Sequence, residues 1–215
     1  MADLDTLIPD ARAFLTKLKT NNTRDWFQDN KSTYDAQLKA PAQQLLAKME
    51  PALAEIAGAP VTSKLFRANR DVRFSKDKTP YNTHLHMMWA IQSEAIQNPV
   101  FFFGIGLDYV TAGVGMMGFD KPMQGLWRKW VDLDTARILG TLQEVKDKGF
   151  SFREPELKRV PPPFDADHLG AELLRRKGLI ASTEIAPQSA LVDNLTQAFR
   201  DGWPLNAVLL QIAES

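Results

Sequence analysis

The sequence predicts an α+β fold in which a central antiparallel sheet is flanked by N- and C-terminal helices. Apolar residues recur at helical spacing before Gly58 and again after Pro122. Between these regions lie short apolar and aromatic segments, separated by connections rich in Pro, Asn and Asp. Helices, then strands, then helices is the order of a segregated α+β domain and not of alternating βαβ units.

The predicted N-terminal helices come first in the chain. An amphipathic helix begins at Pro9 and ends at Asn21, and Thr23 is suited to cap a second helix. A longer helical region follows over residues 31–56. Because proline lacks the backbone N–H that a helix interior needs, we expect two prolines to divide this region into shorter helices. The breaks are expected at Pro41 and Pro51.

The predicted strands are 65–72, 84–92, 100–108, 111–119 and 179–185. The third and fourth form a hairpin around Asp108, and the last one closes the sheet. A helix follows Pro122, and the next one stops near Gly149. The proline-rich residues 160–164 should be extended, and a helix is predicted over residues 167–177. Two helices end the chain, the second beginning at Pro204.

Composition and charge limit the class of protein. The 215 residues contain no internal linker, so residues 1–215 are expected to form a single domain. Cysteine is absent, and the acidic N-terminus lacks the features of a signal peptide, which together predict a cytoplasmic protein. The longest apolar run, near residues 100–105, is too short to cross a membrane. Lys plus Arg equal Asp plus Glu at 26 each, which argues against a nucleic-acid partner.

Two patterns resemble catalytic or cofactor motifs but lack their structural context. Gly113, Gly115 and Gly118 match a dinucleotide-binding fingerprint, which works only where a strand turns directly into a helix. Here the glycines lie in a hairpin strand, where close backbone approach is the usual reason for glycine. Residues 75–78 fit S-x-x-K, but Pro80 follows and argues against the helix that this motif requires. The sequence therefore identifies no cofactor and no serine nucleophile.

Two histidines raise the question of a metal site. His84 and His86 are two apart on a predicted strand, which should direct both imidazoles to one face. Two nitrogens on one face are able to bind a metal if a third ligand joins them, and His168 or a distant carboxylate would have to supply it. Because no ligand set is recognisable, surface or hydrogen-bonded histidines are the preferred interpretation, and no metal site is predicted.

The densest charged segment is residues 67–81, RANRDVRFSKDKTPY. Five cations against two aspartates leave a local charge of +3 in a neutral chain. On a regular strand Arg67 and Arg73 would share one face and Arg70 would lie on the other. A bend after Asp71 is therefore needed before the arginines converge.

This segment matches every fixed position of the pattern R-x-x-R-D-x-R-F-x-x-D-K-x-P-Y. The chain thereby resembles a mostly bacterial family that is known as a domain of unknown function. Further residues carry the resemblance through most of the chain: Phe14, Leu18, Asn21, Asn22, Arg24, Trp26, Phe27, Tyr34, Leu157, Lys158, Arg159, Pro161, Asp165, Asp167 and His168. It departs at Pro162-Pro163, where a more basic or glycine-containing turn is expected. The resemblance implies candidate residues and a fold, and no reaction.

Two accounts of the charged segment stay open. In the structural account, its arginines and aspartates form an ion-pair and turn network that needs no ligand. In the functional account, guanidinium groups converge on the phosphate or carboxylate of a small molecule, for binding or for catalysis with an aspartate as base. The candidate ligand-binding residues are Arg67, Arg70, Asp71, Arg73, Asp77, Lys78, Tyr81 and His84.

A third use of the segment is an interaction surface for an acidic partner. The function hypothesis is therefore an anionic small molecule at an Arg-rich cleft, with a non-catalytic interaction or scaffold domain as the alternative. If the aspartates belong to a partly buried charge network, Asp71→Ala should leave arginines unpaired and destabilise the protein.

Overall fold

The computed structural model describes residues 4–186 and 190–215; residues 1–3, part of the N-terminal stretch assessed above for a signal peptide, lie outside them. A 3₁₀ turn (Leu4–Thr6) comes first, and a π-helical turn (Asp35–Lys39) joins α3 to α4. The helices are α1 (Leu7–Thr20), α2 (Arg24–Asp29), α3 (Lys31–Tyr34), α4 (Ala40–Ala57), α5 (Lys121–Leu133), α6 (Thr135–Asp147), α7 (Ala171–Leu174) and α8 (Leu191–Ala213). The strands are β1 (Val61–Leu65), β2 (Leu85–Ile91), β3 (Val100–Ile105), β4 (Val110–Met116), β5 (Ser151–Phe152) and β6 (Leu179–Glu184).

The strands of the described chain form one antiparallel sheet in the order β1-β2-β3-β4-β6-β5. The predicted α+β class is confirmed. Strand β6 comes last in the chain but pairs with both β4 and β5, so the C-terminal part of the sequence completes the sheet. The register places Trp89, Phe101, Val114 and Ala181 in one row across four strands. These side chains point to one face of the sheet because they occupy paired positions.

Helices α4 and α8 cover that face. The ring of Phe199 on α8 lies 5.8 Å from the ring of Trp89 and 5.2 Å from that of Phe101. The indole N–H of Trp89 donates to the carbonyl oxygen of Leu46 on α4 at 3.0 Å, which satisfies its one buried donor. Full burial of each such large side chain contributes about 1.5–3 kcal/mol, so this contact layer stabilises the packing of α4 and α8 on the sheet.

Several local predictions are confirmed by specific hydrogen bonds. The side chain of Thr23 accepts from the backbone N–H of Trp26 at 3.3 Å and caps α2. The backbone N–H of Gly106 donates to the carbonyl of Tyr109 at 2.9 Å, which closes the predicted hairpin. Gly149 has a φ of 87°, a left-handed conformation that suits glycine just after a helix.

Four predictions of helix boundaries are wrong. Pro51 and Pro204 lie inside α4 and α8, and near Pro41 the chain continues through the π-helical turn into α4. The buried apolar stripes of α4 and α8 continue past both internal prolines, and this burial offsets the lost hydrogen bond. The helix predicted over residues 167–177 shrinks to the single turn of α7.

Two predictions of extended structure are also wrong. Residues 66–72 leave the sheet, because β1 pairs with β2 only through Leu65. Residues 160–164 contain a turn, in which the N–H of Phe164 donates to the carbonyl of Pro161 at 3.3 Å. Among the described residues, no helix is both long enough and apolar enough to cross a bilayer.

The glycines that match the dinucleotide fingerprint have a packing role. Gly113 and Gly115 lie within β4, and no helix begins at Gly118. Gly115 has a φ of 126°, and a Cβ there would lie 2.0 Å from the carbonyl oxygen of Leu179 on β6. The close pairing of β4 and β6 therefore requires glycine at this position.

We predict that Gly115→Ala lowers the free energy of unfolding by at least about 2 kcal/mol, because it combines a disfavoured φ with a backbone clash. Gly140→Ala is the matched control: Gly140 lies on α6 with nothing within 4 Å of the added Cβ, and the change should stabilise the protein by about 0.5–1 kcal/mol. Urea unfolding followed by circular dichroism measures both changes. Equal effects of the two substitutions would contradict the argument.

Candidate functional site

The charged segment lies in a long loop between β1 and β2, residues 66–84, which we call the marker loop. Its two arms pair with each other instead of extending the sheet. Asn69 and Tyr81 form an antiparallel bridge. The N–H of Arg70 donates to the carbonyl of Pro80 at 2.8 Å, and that of Asn82 donates to the carbonyl of Ala68 at 2.7 Å. The marker loop is thus a narrow, hairpin-like projection whose tip is residues 71–79.

Arg70 and Asp77 join the two arms below the tip. The guanidinium of Arg70 donates to the Asp77 carboxylate at 2.5 Å and to the carbonyl of Thr79 at 3.2 Å, and it also bonds the Thr79 hydroxyl. Asp77 in turn accepts from the backbone N–H of Thr79 at 2.9 Å. The N–H of Thr79 and the guanidinium of Arg70 stabilise the charged carboxylate and lower the pKa of Asp77 to about 2. Asp77 is therefore a fixed anion at neutral pH.

Asp71 and Arg73 form a second pair on the outer side of the marker loop. Nε and Nη2 of Arg73 donate to the Asp71 carboxylate at 2.9 Å and 2.7 Å in a fork geometry. These bonds lower the pKa of Asp71. The side chains of Arg73 and Asp71 are 76% and 44% exposed, so this pair is screened by water and contributes little to stability. The expectation that Asp71 belongs to a partly buried network is wrong, because this part of the loop projects into solvent.

The base of the marker loop is attached to the helical layer. The amide of Asn22, between α1 and α2, donates to the Tyr81 carbonyl at 2.9 Å and accepts from its N–H at 3.1 Å. The Tyr81 ring is 5% exposed and stacks on Phe27 with centroids 3.9 Å apart. Tyr81 is therefore a buried anchor of the loop and not a surface ligand-binding residue.

The remaining predicted residues are arranged differently. Nζ of Lys78 donates to the carbonyl of Val72 at 2.9 Å, across the tip. In residues 4–186 and 190–215, Arg67 and Lys76 are both exposed and have no ion pair with a carboxylate. The loop thus uses its two aspartates internally and keeps an excess of positive charge.

The most exposed large apolar side chain described lies at the same tip. Phe74 is 97% exposed, and the guanidinium of Arg73 lies 5.9 Å from its ring centroid. Phe74 is a fixed position of the marker pattern, but the sequence interpretation passed over it in favour of the charges. The sequence does contain a signal for Phe74, because a large apolar residue within a run of charged turn residues is expected to be exposed.

His84 and His86 do share one face, as predicted, and they belong to an aromatic cluster. Their rings stack with centroids 3.8 Å apart, and His86 bonds the hydroxyl of Tyr109 at 2.7 Å. His168 pairs instead with Asp132 at 3.2 Å. Within the part of the chain that is described, no three His, Cys, Asp or Glu side chains are placed to hold a metal.

Both histidines of the cluster favour the neutral form. Burial, with a smaller contribution from the neighbouring His84, lowers the pKa of His86 to about 4. Burial also lowers the pKa of His84. Neutral imidazoles stack without charge repulsion, so the geometry and the pKa shifts agree.

The fold and the site define a class: an α+β domain with helices on one sheet face and a braced, basic loop between its first two strands. The family model for the conserved hypothetical protein DUF2461 matches residues 10–210, and the chain belongs to this family. A comparison with curated protein sequences finds no match.

We predict that Asp77→Asn opens the marker loop, whereas Asp71→Asn leaves it closed. Asp77 holds both arms through Arg70 and Thr79, while the Asp71 carboxylate accepts hydrogen bonds from Arg73, two residues along the chain. Limited digestion with trypsin, which cleaves after the loop's own Arg and Lys residues, should be at least about threefold faster in Asp77→Asn. Asp71→Asn should keep the wild-type melting temperature and cleavage rate, and equal rates in both variants would contradict this arrangement.

We also predict a pH dependence of stability from His86. Its folded-state pKa of about 4 lies below the ordinary value of 6.5, so between these values the unfolded chain binds more protons than the folded one. Stability should therefore fall as the pH is lowered from 6.5 towards 4. His84 adds to this slope in the same direction. The His86→Gln variant, measured by urea unfolding at both pH values, should show a smaller slope, and an unchanged slope would contradict the assignment.

Proposed function

We propose that the protein is a non-catalytic binding domain and that the tip of the marker loop docks onto an acidic partner protein. The observation that carries this proposal is Phe74, which is 97% exposed on a loop whose arms are held by internal bonds. Burying a phenylalanine side chain in a partner's pocket contributes about 1.5–3 kcal/mol. A loop already held in one conformation loses less entropy on binding than a flexible one.

The acid–base properties of the loop favour binding over catalysis. A general base works best when its pKa lies near the operating pH. The pKa values of Asp71 and Asp77 are lowered instead, the latter to about 2, and both carboxylates already accept hydrogen bonds from arginines. These aspartates are suited to hold the loop and poorly suited to remove a proton from a substrate.

The charge around Phe74 favours an acidic partner. The loop's two aspartates neutralise two of its five cations and leave +3. Arg67 and Lys76 are exposed on the same loop. Such an apolar residue surrounded by cations matches the arrangement of interface hot spots, in which a central aromatic side chain is buried and rim charges speed association.

A small anion, which is the first function hypothesis from the sequence, is our second candidate ligand, and the same excess charge supports it. Arg70, Asp77 and Tyr81 are structural in this arrangement, so the ligand would rely on Arg67, Lys76 and the free edge of Arg73. Inorganic phosphate or a phosphorylated metabolite would then raise the melting temperature of the wild type and not that of Arg67→Gln. Stabilisation of both proteins alike would count against this candidate.

We predict that Phe74→Ala weakens the partner interaction without affecting the fold. Tagged wild type and variants are used for affinity purification with quantitative mass spectrometry, and the acidic partner is then purified for calorimetry. Phe74→Ala should lower its affinity by at least about tenfold, a typical hot-spot effect. Leu133→Ala, at a residue of α5 that is 70% exposed, is the matched control and should have no effect. Retention of every copurifying protein by Phe74→Ala would contradict the proposal.

A further inference from the structure

In residues 4–186 and 190–215, the main helical layer packs on one face of the sheet and leaves the second face uncovered. The helices that pack on the central strands meet the row of Trp89, Phe101 and Val114, as the contacts of α4 and α8 show. Side chains at the alternate positions point the other way. We call this second surface the open face; its residues include Lys64, His86, Met88, Phe102, Thr111 and Ser182.

Aromatic rings from several chain segments meet on the open face. His86 is their centre: its ring packs edge-on against Phe66 at 6.3 Å and against Phe102 at 4.9 Å, and it stacks on His84. Tyr109 joins from the β3–β4 hairpin through its hydroxyl. The rings of Phe66 and Tyr109 are 36% and 38% exposed, so this cluster is reachable from solvent.

Glycine at position 104 lets the rings lie close to the sheet. A Cβ at Gly104 would come within 2.9 Å of the Phe102 ring and 3.1 Å of the His86 ring. Both rings occupy the space that a side chain at position 104 would fill. The centre of the open face is therefore lined by aromatic rings that lie close to the backbone of the sheet. Such a surface offers π-faces on which flat ligands stack.

Positive charge lies at one side of the aromatic cluster. Nζ of Lys64 on β1 lies 5.1 Å from the centroid of the Phe66 ring, and the exposed Arg67 follows directly in the chain. Within the described residues neither cation has an ion pair. Among the described residues of this face, Glu184 lies on β6, four strands along the sheet from β1, and lines a cavity on the side of Tyr109 and not on that of Lys64. The cationic edge beside the rings therefore complements phosphate groups.

We propose that the open face binds single-stranded nucleic acid, with bases stacked on the aromatic cluster and a phosphate at Lys64. Open antiparallel sheets that carry aromatic side chains are a recurrent RNA-binding surface. The distance from β1 to β4 is about 14 Å, from the spacing of paired strands, which accommodates two or three nucleotides and favours a strand over one mononucleotide.

The balanced net charge does not oppose this local site. It predicts weak long-range attraction and few phosphate contacts, so affinity has to come from stacking. The binding should therefore depend on the rings more than on salt. This proposal is independent of the docking of Phe74.

The test uses a fluorescently labelled oligouridylate of about a dozen nucleotides, whose anisotropy is measured at about 50–200 mM salt. Phe66→Ala should weaken binding by about 5- to 140-fold, the loss expected for one stacked base. Leu139→Ala on α6, where the side chain is also 36% exposed, is its matched control and should bind like the wild type. Phe66→Leu, which keeps apolar packing but removes the ring, should weaken binding as well if Phe66→Ala disturbs the fold.

Lys64→Gln tests the phosphate contact. Each phosphate contact on a single strand contributes about −0.7 to the slope of log affinity against log salt, and this variant should lose about that amount. Lys146→Gln is the matched control, because Nζ of Lys146 also lies over a phenylalanine ring, that of Phe152 at 5.8 Å. The proposal would be overturned if Phe66→Ala and Phe66→Leu both bound oligouridylate like the wild type. It would also be overturned if the wild type bound no oligouridylate at low salt, or bound uridine monophosphate with the same affinity as oligouridylate.

Discussion

The contact on which the charged loop depends is the pair of hydrogen bonds between the Asn22 amide and the backbone of Tyr81. One side chain here replaces a strand partner, since it satisfies both the N–H and the carbonyl of a residue outside the sheet. The rings of Phe27 and Tyr81 stack on each other in the core next to these bonds. Because Asn22 lies between two helices, the position of the loop is determined by the helical layer and not by the sheet from which it projects.

Charge in this protein has two separate uses. Arg70 and Asp77 connect the arms of the loop and are structural, although guanidinium and carboxylate groups in one cluster are also typical of ligand sites. Arg67 and Lys76 remain available to a partner on the same loop. The internal pairs hold the backbone of the loop, as the structural account describes, and the functional account is our proposal for the other cations. The structural Arg70 differs from Arg67 in its exposure and in its pairing, and not in residue type.

Local chemistry was predictable from the sequence where a short segment determines its own conformation. Thr23 as a helix cap, the hairpin at Asp108 and the shared face of His84 and His86 are of this kind. The strand predicted over residues 65–72 failed because pairing with the return arm at Tyr81 replaced pairing with the sheet. Asn22 and Tyr109 were missed for a related reason: their partners are 59 and 23 residues away, and periodicity contains no information on such contacts.

The order of strands in the sheet has a consequence for synthesis on the ribosome. Strands β1 to β4 follow one another as a meander, but β6 and α8, which pair with β4 and cover Trp89 and Phe101, are the last elements of the chain. A nascent chain that has completed β4 can cover part of this face with α4, but the part that α8 covers in the folded protein stays exposed until α8 has been synthesised. Transiently exposed apolar surface of this kind makes partly synthesised chains prone to aggregation.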